Sequence, residues 1–237
     1  MVRRKAPENC GVIEGSTAVV SFGNFREARV ATLGINPSLR EFLVKKDGEW
    51  LPEPERRLAT FESLDAKSSE DVTLEQAVQI VSESDFYFDK NPYDWFDNLE
   101  KFLVGSFNAS YRDGSACHLD LSQWATDPTW GSLTKQQQEI LLEDGVQHLR
   151  LQLAQKNITH VIVNGKQVWD EIKRSGLAEF EDKGKTTFSK NKTSCTLRVG
   201  YGEGTTFLGW TANIPTQHGS TEKKFHDELC EWLRENK

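Results

Sequence analysis

An amide side chain, Asn36, stands where an apolar run ends in a sharp turn. Leu33-Gly34-Ile35-Asn36-Pro37-Ser38 closes the run that begins Ala28-Arg29-Val30-Ala31-Thr32. In an open α/β sheet, ligands sit outside the carboxyl ends of the strands. An amide at that place can hold a water or the polar edge of a ligand. The same letters also suit a plain strand-to-helix turn, with Gly34 for the bend and Asn36 or Ser38 as cap. Three further polar turns end or follow apolar runs: His118-Leu119-Asp120-Leu121-Ser122, Asn164-Gly165-Lys166, and Asn213-Ile214-Pro215-Thr216-Gln217-His218-Gly219-Ser220. His118 and Asp120, two apart on a strand, share one face. That pair would serve an α/β hydrolase, but no nucleophile stands beside it.

Several chemistries are absent by motif. No phosphate-cradling P-loop, no Gly-x-Gly-x-x-Gly opening a helix after a strand, and no His-Glu-x-x-His occurs. A Gly-x-Ser-x-Gly nucleophile elbow is also missing, as is a His-x-Glu with paired cysteines. The four cysteines, Cys10, Cys117, Cys195 and Cys230, are far apart with no Cys-x-x-Cys pair. They read as free thiols of a reducing cytoplasm rather than as metal ligands.

The elements that must position these turns alternate between strand and helix, which predicts a parallel sheet with helices on both faces. Strands are expected at 28–33, 116–121, 159–164, 194–200 and 205–212. A long amphipathic helix is expected over 134–156, its apolar side drawn from Ile140, Leu141, Val146, Leu149, Leu151 and Leu153. Thr134 and Gln137 form a capping box at its start. Val168, Trp169 and Ile172 begin another helical face. The chain closes with a helix from Thr221 to Glu235, striped by Phe225, Leu229, Trp232 and Leu233. Residues 39–90 are charge-rich, contain Pro52 and Pro54, and read as an insertion. Helices are expected there near 53–64 and 73–82, the second opened by Thr73 and Gln76. Residues 92–104 form the next element. With no repeat and no second core, the 237 residues read as a single domain.

Composition narrows the partners. Hydrophobic residues make up 37% and charged residues 27%, the balance of a globular chain. No apolar stretch nears the roughly 20 residues of a membrane span, and the basic N-terminus lacks the apolar region of a signal peptide. The net charge of −7 argues against loose, general nucleic-acid binding. Local basic groups exist at Arg3-Arg4-Lys5, at Lys183, Lys185, Lys190 and Lys192, and at Lys223-Lys224. Each also fits a solvated face.

Four segments resemble, in order, the motifs of the uracil-DNA glycosylase superfamily, nearest its mismatch-specific uracil and thymine-DNA glycosylase branch. Gly34-Ile35-Asn36-Pro37-Ser38 resembles a Gly-Ile-Asn-Pro-Gly motif. Asn91-Pro92-Tyr93-Asp94-Trp95-Phe96-Asp97-Asn98-Leu99 resembles an Asn-x-Phe-Trp segment. Val163-Asn164-Gly165-Lys166 resembles a Phe-Asn-Gly-Lys strand end. Ile214-Pro215-Thr216-Gln217-His218 occupies the place of a Pro-Ser-rich motif. The resemblance runs over residues 28–235. It implies a three-layer αβα domain over 1–237, with a central, mostly parallel four-stranded sheet and the insertion at 39–90.

It also implies an activity: a monomeric, monofunctional DNA glycosylase without metal or cofactor, which flips a base out of DNA and hydrolyses its N-glycosidic bond to leave an abasic site. Asn36 would position the water, and His218 would donate to the leaving base. Backbone near Ile35, with Tyr93, Trp95 or Phe107 stacking, would hold the base. Ser38, Asn213, Thr216, Gln217, Ser220 and Lys223 would grip the DNA, and Lys166 would be structural. One departure bears on substrate. Where the superfamily's uracil enzymes read the base with an Asn, this chain has Cys117-His118-Leu119-Asp120. A carboxylate accepts from the N4 amino group of cytosine and opposes the O4 acceptor of uracil. The expected substrate is therefore a modified cytosine-type base. Glucosylated hydroxymethylcytosine of phage DNA is one example, which some anti-phage enzymes of this fold excise. Uracil or mismatched-thymine repair is the alternative. A catalytically silent nucleic-acid-binding module is another.

Overall fold

The buried strands of this computed structural model are apolar runs that end in polar turns. The structure describes residues 1–44, 48–187, 194–214 and 223–237. Six strands form the sheet: β1 (Val30–Gly34), β2 (Ala116–Asp120), β3 (His160–Asn164), β4 (Glu179–Thr187), β5 (Ser194–Gly202) and β6 (Thr205–Trp210). Their order is β2-β1-β3-β6-β5-β4. β3 pairs in parallel with both β1 and β6. β5 runs antiparallel to β6 and to β4. The chain is thus α/β, but its sheet is six-stranded and mixed rather than four-stranded and mostly parallel. The added strand, β4, reads Glu-Phe-Glu-Asp-Lys-Gly-Lys-Thr-Thr, and nearly all of it is exposed. It carries no apolar alternation, so backbone pairing with β5 defines it.

Among the described residues, five helices accompany the sheet: α1 (Leu74–Asp85), α2 (Asp97–Phe107), α3 (Lys135–Leu153), α4 (Lys166–Ser175) and α5 (Lys223–Asn236). Both expected capping boxes form. Thr73 Oγ1 accepts from the Gln76 N–H while Gln76 Oε1 accepts from the Thr73 N–H, and Thr134 and Gln137 exchange the same bonds. Ile140 and Leu151 of α3 are exposed rather than core, because Leu141, Leu142, Val146, Leu149 and Leu153 already fill the buried side. The helix expected over 53–64 is reduced to one 3₁₀ turn, Glu62–Leu64. Pro52 and Pro54 disfavour helical backbone in the residues before them.

The residues group into two compact units. The first comprises Met1–Asn24, Ile35–Tyr93 and Leu119–Leu149; the second comprises Phe25–Gly34, Asp94–His118 and Arg150–Lys237. In the second, Phe102 of α2 packs its ring 4.8 Å from Trp210 of β6 and 4.8 Å from His226 of α5. A Cβ at Gly105 would lie 2.7 Å from Cys230 Sγ, so glycine permits the close approach of α2 and α5. In the first, the N-terminal segment binds the chain that follows β2: Val19 N–H donates to Gln123 O at 2.8 Å and Ile13 N–H to Ala125 O at 3.1 Å. α3 lies against the same stretch, where a Cβ at Gly145 would stand 2.2 Å from Leu121 O. Arg4 belongs to this packing and not to a free basic patch, since its Nε meets Asp144 Oδ2 at 3.0 Å. Among the described residues, no helix is long and apolar enough to cross a membrane.

Candidate functional site

Asn36 is held by the segment after β2. Its Nδ2 donates to Trp124 O at 3.1 Å and to Thr126 Oγ1 at 3.3 Å. A carbonyl only accepts, so the amide's orientation is fixed by chemistry. Both donors face the protein, and among the described residues no donor engages Oδ1. That oxygen is an acceptor held on a rigid arm, as a positioned water requires. The arm is itself supported. Ser122 N–H donates to Ile35 O at 2.8 Å, tying the turn to the end of β2. Trp124 Nε1 donates to Asp144 Oδ2 at 2.9 Å, and the Arg4 guanidinium lies 4.8 Å from the Trp124 ring centroid.

Asp120, the last residue of β2, is buried, and its own carbonyl accepts from Gln123 Nε2 at 2.9 Å. Within the same unit lies a residue absent from the sequence expectations, Glu41. Ser38 explains its placement. The Ser38 Oγ accepts from the Arg40 N–H at 3.2 Å and caps the 3₁₀ turn Leu39–Glu41, which carries Glu41 inward to 2% exposure. Tyr87 Oη donates to Glu41 Oε2 at 2.6 Å, and the Tyr93 N–H donates to the same hydroxyl at 2.9 Å. Burial pushes the Glu41 carboxyl up to about 7; Tyr87 and Arg57 pull against that, and the Asp120 charge adds to it. Glu41 also lines a pocket of about 340 Å³ with Phe42, Trp50, Glu53, Arg56 and Glu62.

The remaining expected residues are distributed more widely. Ile35 and Tyr93 share the unit of Asn36 and Asp120, and the Arg57 guanidinium lies 5.6 Å from the Tyr93 ring. Trp95 lies in the second unit, edge-on to His118 at 5.5 Å. Phe107 packs 5.4 Å from the ring of His160, the first residue of β3. That is the amino end of the strand, opposite to the polar turns, so the structure does not bring Phe107 to the strand ends. Asn213 Oδ1 accepts from Asn164 Nδ2 at 3.2 Å. Lys223 opens α5, exposed, and pairs with Asp227 at 2.6 Å. His218, Thr216, Gln217 and Ser220 lie outside the described residues, as do Lys190 and Lys192.

His118, the other half of the possible hydrolase pair, is occupied. Its Nδ1 lies 2.6 Å from Thr32 Oγ1, which lies 2.5 Å from Tyr111 Oη, all buried. Lys166 is likewise accounted for, paired at 2.5 Å with Asp170 one turn along α4. Gly165, with φ of +108° before α4, takes backbone that an L side chain rarely adopts.

Glu41, Tyr87, Trp124 and Thr126 escaped the sequence reading. The signal for Glu41 is slight: a glutamate within one short turn of the Asn36-Pro37 bend. Among the described residues, no three His, Cys, Asp or Glu side chains converge as a metal-ligand group. Compared with protein-family models and with curated proteins, the chain matches none.

Proposed function

We propose that the protein is a DNA glycosylase that extrudes a cytosine-type base and hydrolyses its N-glycosidic bond. The observation that carries this reading is Asn36: both amide protons are spent on Trp124 O and Thr126 Oγ1, which leaves Oδ1 as a fixed acceptor. A water donating to Oδ1 would point a lone pair outward at the sugar. Its oxygen adds to C1′ and gives up a proton, while the base departs with the bonding electron pair and is then protonated. A fixed acceptor lowers the entropic cost of aligning that water. The order of the four motifs supports the same reading by resemblance.

Asp120 supports the choice of base. A buried carboxylate accepts from the N4 amino group of cytosine and repels the O4 of uracil or thymine. Within that reading, a modified cytosine such as glucosylated hydroxymethylcytosine in phage DNA is the substrate we favour, with an anti-phage role.

The test is release of free base, followed by mass spectrometry. Substrates are DNA containing uracil, a G·T mismatch, or glucosylated hydroxymethylcytosine, each with wild type, Asn36→Ala and Asp120→Asn. Release by wild type from the modified-cytosine DNA, lost in Asn36→Ala, is the expected result. Release from uracil DNA alone replaces the substrate assignment with repair. Binding without release from any substrate makes the protein a silent DNA-binding module.

A further inference from the structure

The pocket of about 340 Å³ that Glu41 lines has no part in the reaction just described. Its size suits a small molecule, toward the lower end of the roughly 300–1,000 Å³ that such sites occupy. Its walls are drawn from residues 41–42 and 50–63, all within the first unit. A short hairpin shapes one side: the Val44 N–H donates to Glu49 O at 2.7 Å, and the Leu51 N–H to Phe42 O at 2.8 Å. The hairpin places Trp50, whose ring stands edge-on to Phe42 at 6.2 Å. The same ring lies against Gly15, where a Cβ would be 3.1 Å from Cζ2. On the other side, the Thr60 and Ser63 hydroxyls are spent on each other's backbone, around the turn that carries Glu62.

The charged side chains along the pocket are Glu41, Glu53, Arg56 and Glu62. Arg56 is already compensated, by Glu53 at Nε and by Glu83 Oε2 at 2.6 Å from Nη1. Glu41 and Glu62 are not. Among the described residues neither makes an ion pair, and no donor engages Glu41 Oε1, although the residue is only 2% exposed. Arg57 attracts the Glu41 carboxyl, but its own nitrogens donate to Asn91 O at 2.8 Å and to Arg40 O at 2.5 Å. A buried carboxylate is ordinarily paired. Here the oxygen left over belongs to a carboxyl that lines a cavity. Such walls repel anions, phosphate included. A metal ion fits poorly as well, since among the described residues no three His, Cys, Asp or Glu side chains converge on one point. The walls suit a cation with two separated charges, one met by buried Glu41 and one by exposed Glu62, with an apolar body beside the Trp50 indole.

We propose that this pocket binds an aliphatic diamine, with one ammonium on Glu41 Oε1, the other on Glu62, and the methylene chain against Trp50. The inference does not depend on the glycosylase reading.

The experiment is calorimetric titration of the full chain at pH 8. There the Glu41 carboxyl, which titrates at about 7, is ionised, and aliphatic amines are still protonated. The probes are the α,ω-diamines of propane, butane, pentane and hexane, with butylamine, butanediol and methyl glucoside beside them. At least one diamine is expected to bind, butylamine more weakly, and the two uncharged probes not at all. Glu41→Gln is expected to weaken the best diamine by about tenfold or more, and Glu62→Gln to remove its advantage over butylamine. Glu231→Gln, which removes the same charge from an exposed position on α5, should change neither. Glu62 is exposed, so its variant decides the matter if Glu41→Gln does not fold. Absence of binding by every diamine overturns the proposal, as does unchanged affinity in a folded Glu41→Gln or an undiminished advantage over butylamine in Glu62→Gln. Equal binding of butanediol or a preference for the glucoside overturns it too. So does an equal loss in Glu231→Gln, which would show attraction to the net charge of the chain alone.

Discussion

Asn36 and Asn164 each stand at the end of an apolar strand, one in each compact unit, and their amides are used in opposite ways. Asn164 spends its carbonyl oxygen inside the protein: Oδ1 accepts from Trp210 Nε1 at 2.9 Å and from the Ile214 N–H at 3.2 Å, while Nδ2 donates to Asn213. Asn36 spends its amino group inside and keeps the oxygen. The same contrast extends to the neighbours. In the second unit, Thr32, Tyr111 and His118 form a buried chain in which Thr32 Oγ1 meets both Tyr111 Oη and His118 Nδ1. In the first, Glu41 is buried with a proton affinity raised to neutrality. A satisfied polar network adds rigidity and specifies packing. Groups held at a cost and aimed are the mark of a functional site. The glycosylase reading would therefore place its chemistry in the first unit, while in the second Asn164 holds the chain at residues 213 and 214.

The comparison breaks most visibly at Asn36. Asn36→Ala is expected to lower single-turnover base release by about 10²–10³-fold, the range for removal of one preorganised polar group. Its thermal midpoint should fall as well, because Trp124 O and Thr126 Oγ1, in buried residues, lose their donor; the loss of release is therefore read in the folded variant. Asn36→Asp sharpens the case. A carboxylate has no donor for Trp124 O, so it turns away or repels that carbonyl, and release should fall as well. Activity retained in Asn36→Ala would remove the distinction between the two asparagines.

Glu41 offers the next largest effect, read in stability alone. Its folded carboxyl titrates at about 7 against an ordinary 4.5. The folded state therefore holds the proton more tightly than the unfolded chain between those values. Stability from Glu41 is complete below pH of about 4.5 and declines as pH rises toward 7, by about 3 kcal/mol in all. Denaturant unfolding of wild type and Glu41→Gln across that window measures it. The difference between them should grow in favour of the variant as pH rises, whatever other groups titrate in both. A difference that is constant with pH would show that Glu41 has an ordinary proton affinity.

Asn164→Ala then tests the clamp. The change leaves Trp210 Nε1 and the Ile214 N–H, both buried, without their acceptor. One orphaned buried donor costs about 1–3 kcal/mol. A loss of about 2 kcal/mol in equilibrium unfolding is expected, with no pH dependence between 5 and 8. A neutral result would mean that Asn164 does not clamp the chain, and the assignment of the second unit would fail.

How far these roles could be read from the letters follows from what each depends on. β1, β2 and β3 announce themselves because their residues are apolar and their ends polar, and the capping boxes at Thr73 and Thr134 are local in sequence. β4 was invisible: charged and exposed, it exists through pairing with β5, and non-local pairing leaves no periodicity behind. Asn36 stood out as a residue, but what fixes its amide is Trp124 and Thr126, some ninety positions away. Glu41 was hidden within a charge-rich insertion. Only the inward turn capped by Ser38 and the distant hydroxyl of Tyr87 distinguish it from the solvated glutamates around it.

The smallest expected effect separates grip from chemistry. Lys223 and Lys224 open α5, where the helix macrodipole places partial positive charge, so neither lysine is there to stabilise the helix end. The exposed pair of Lys223 with Asp227 runs in the less favourable order for a helix, cation before anion. Lys223→Ala should therefore leave the unfolding midpoint where it is. If Lys223 meets a phosphate, the variant should weaken DNA binding about equally for every sequence, and the slope of log K against log salt should fall by about one. The rate of base release at saturating DNA should not change, in contrast to Asn36→Ala. A fall in that rate would mean that the second unit contributes to the chemical step. An unchanged slope would mean that DNA is held elsewhere.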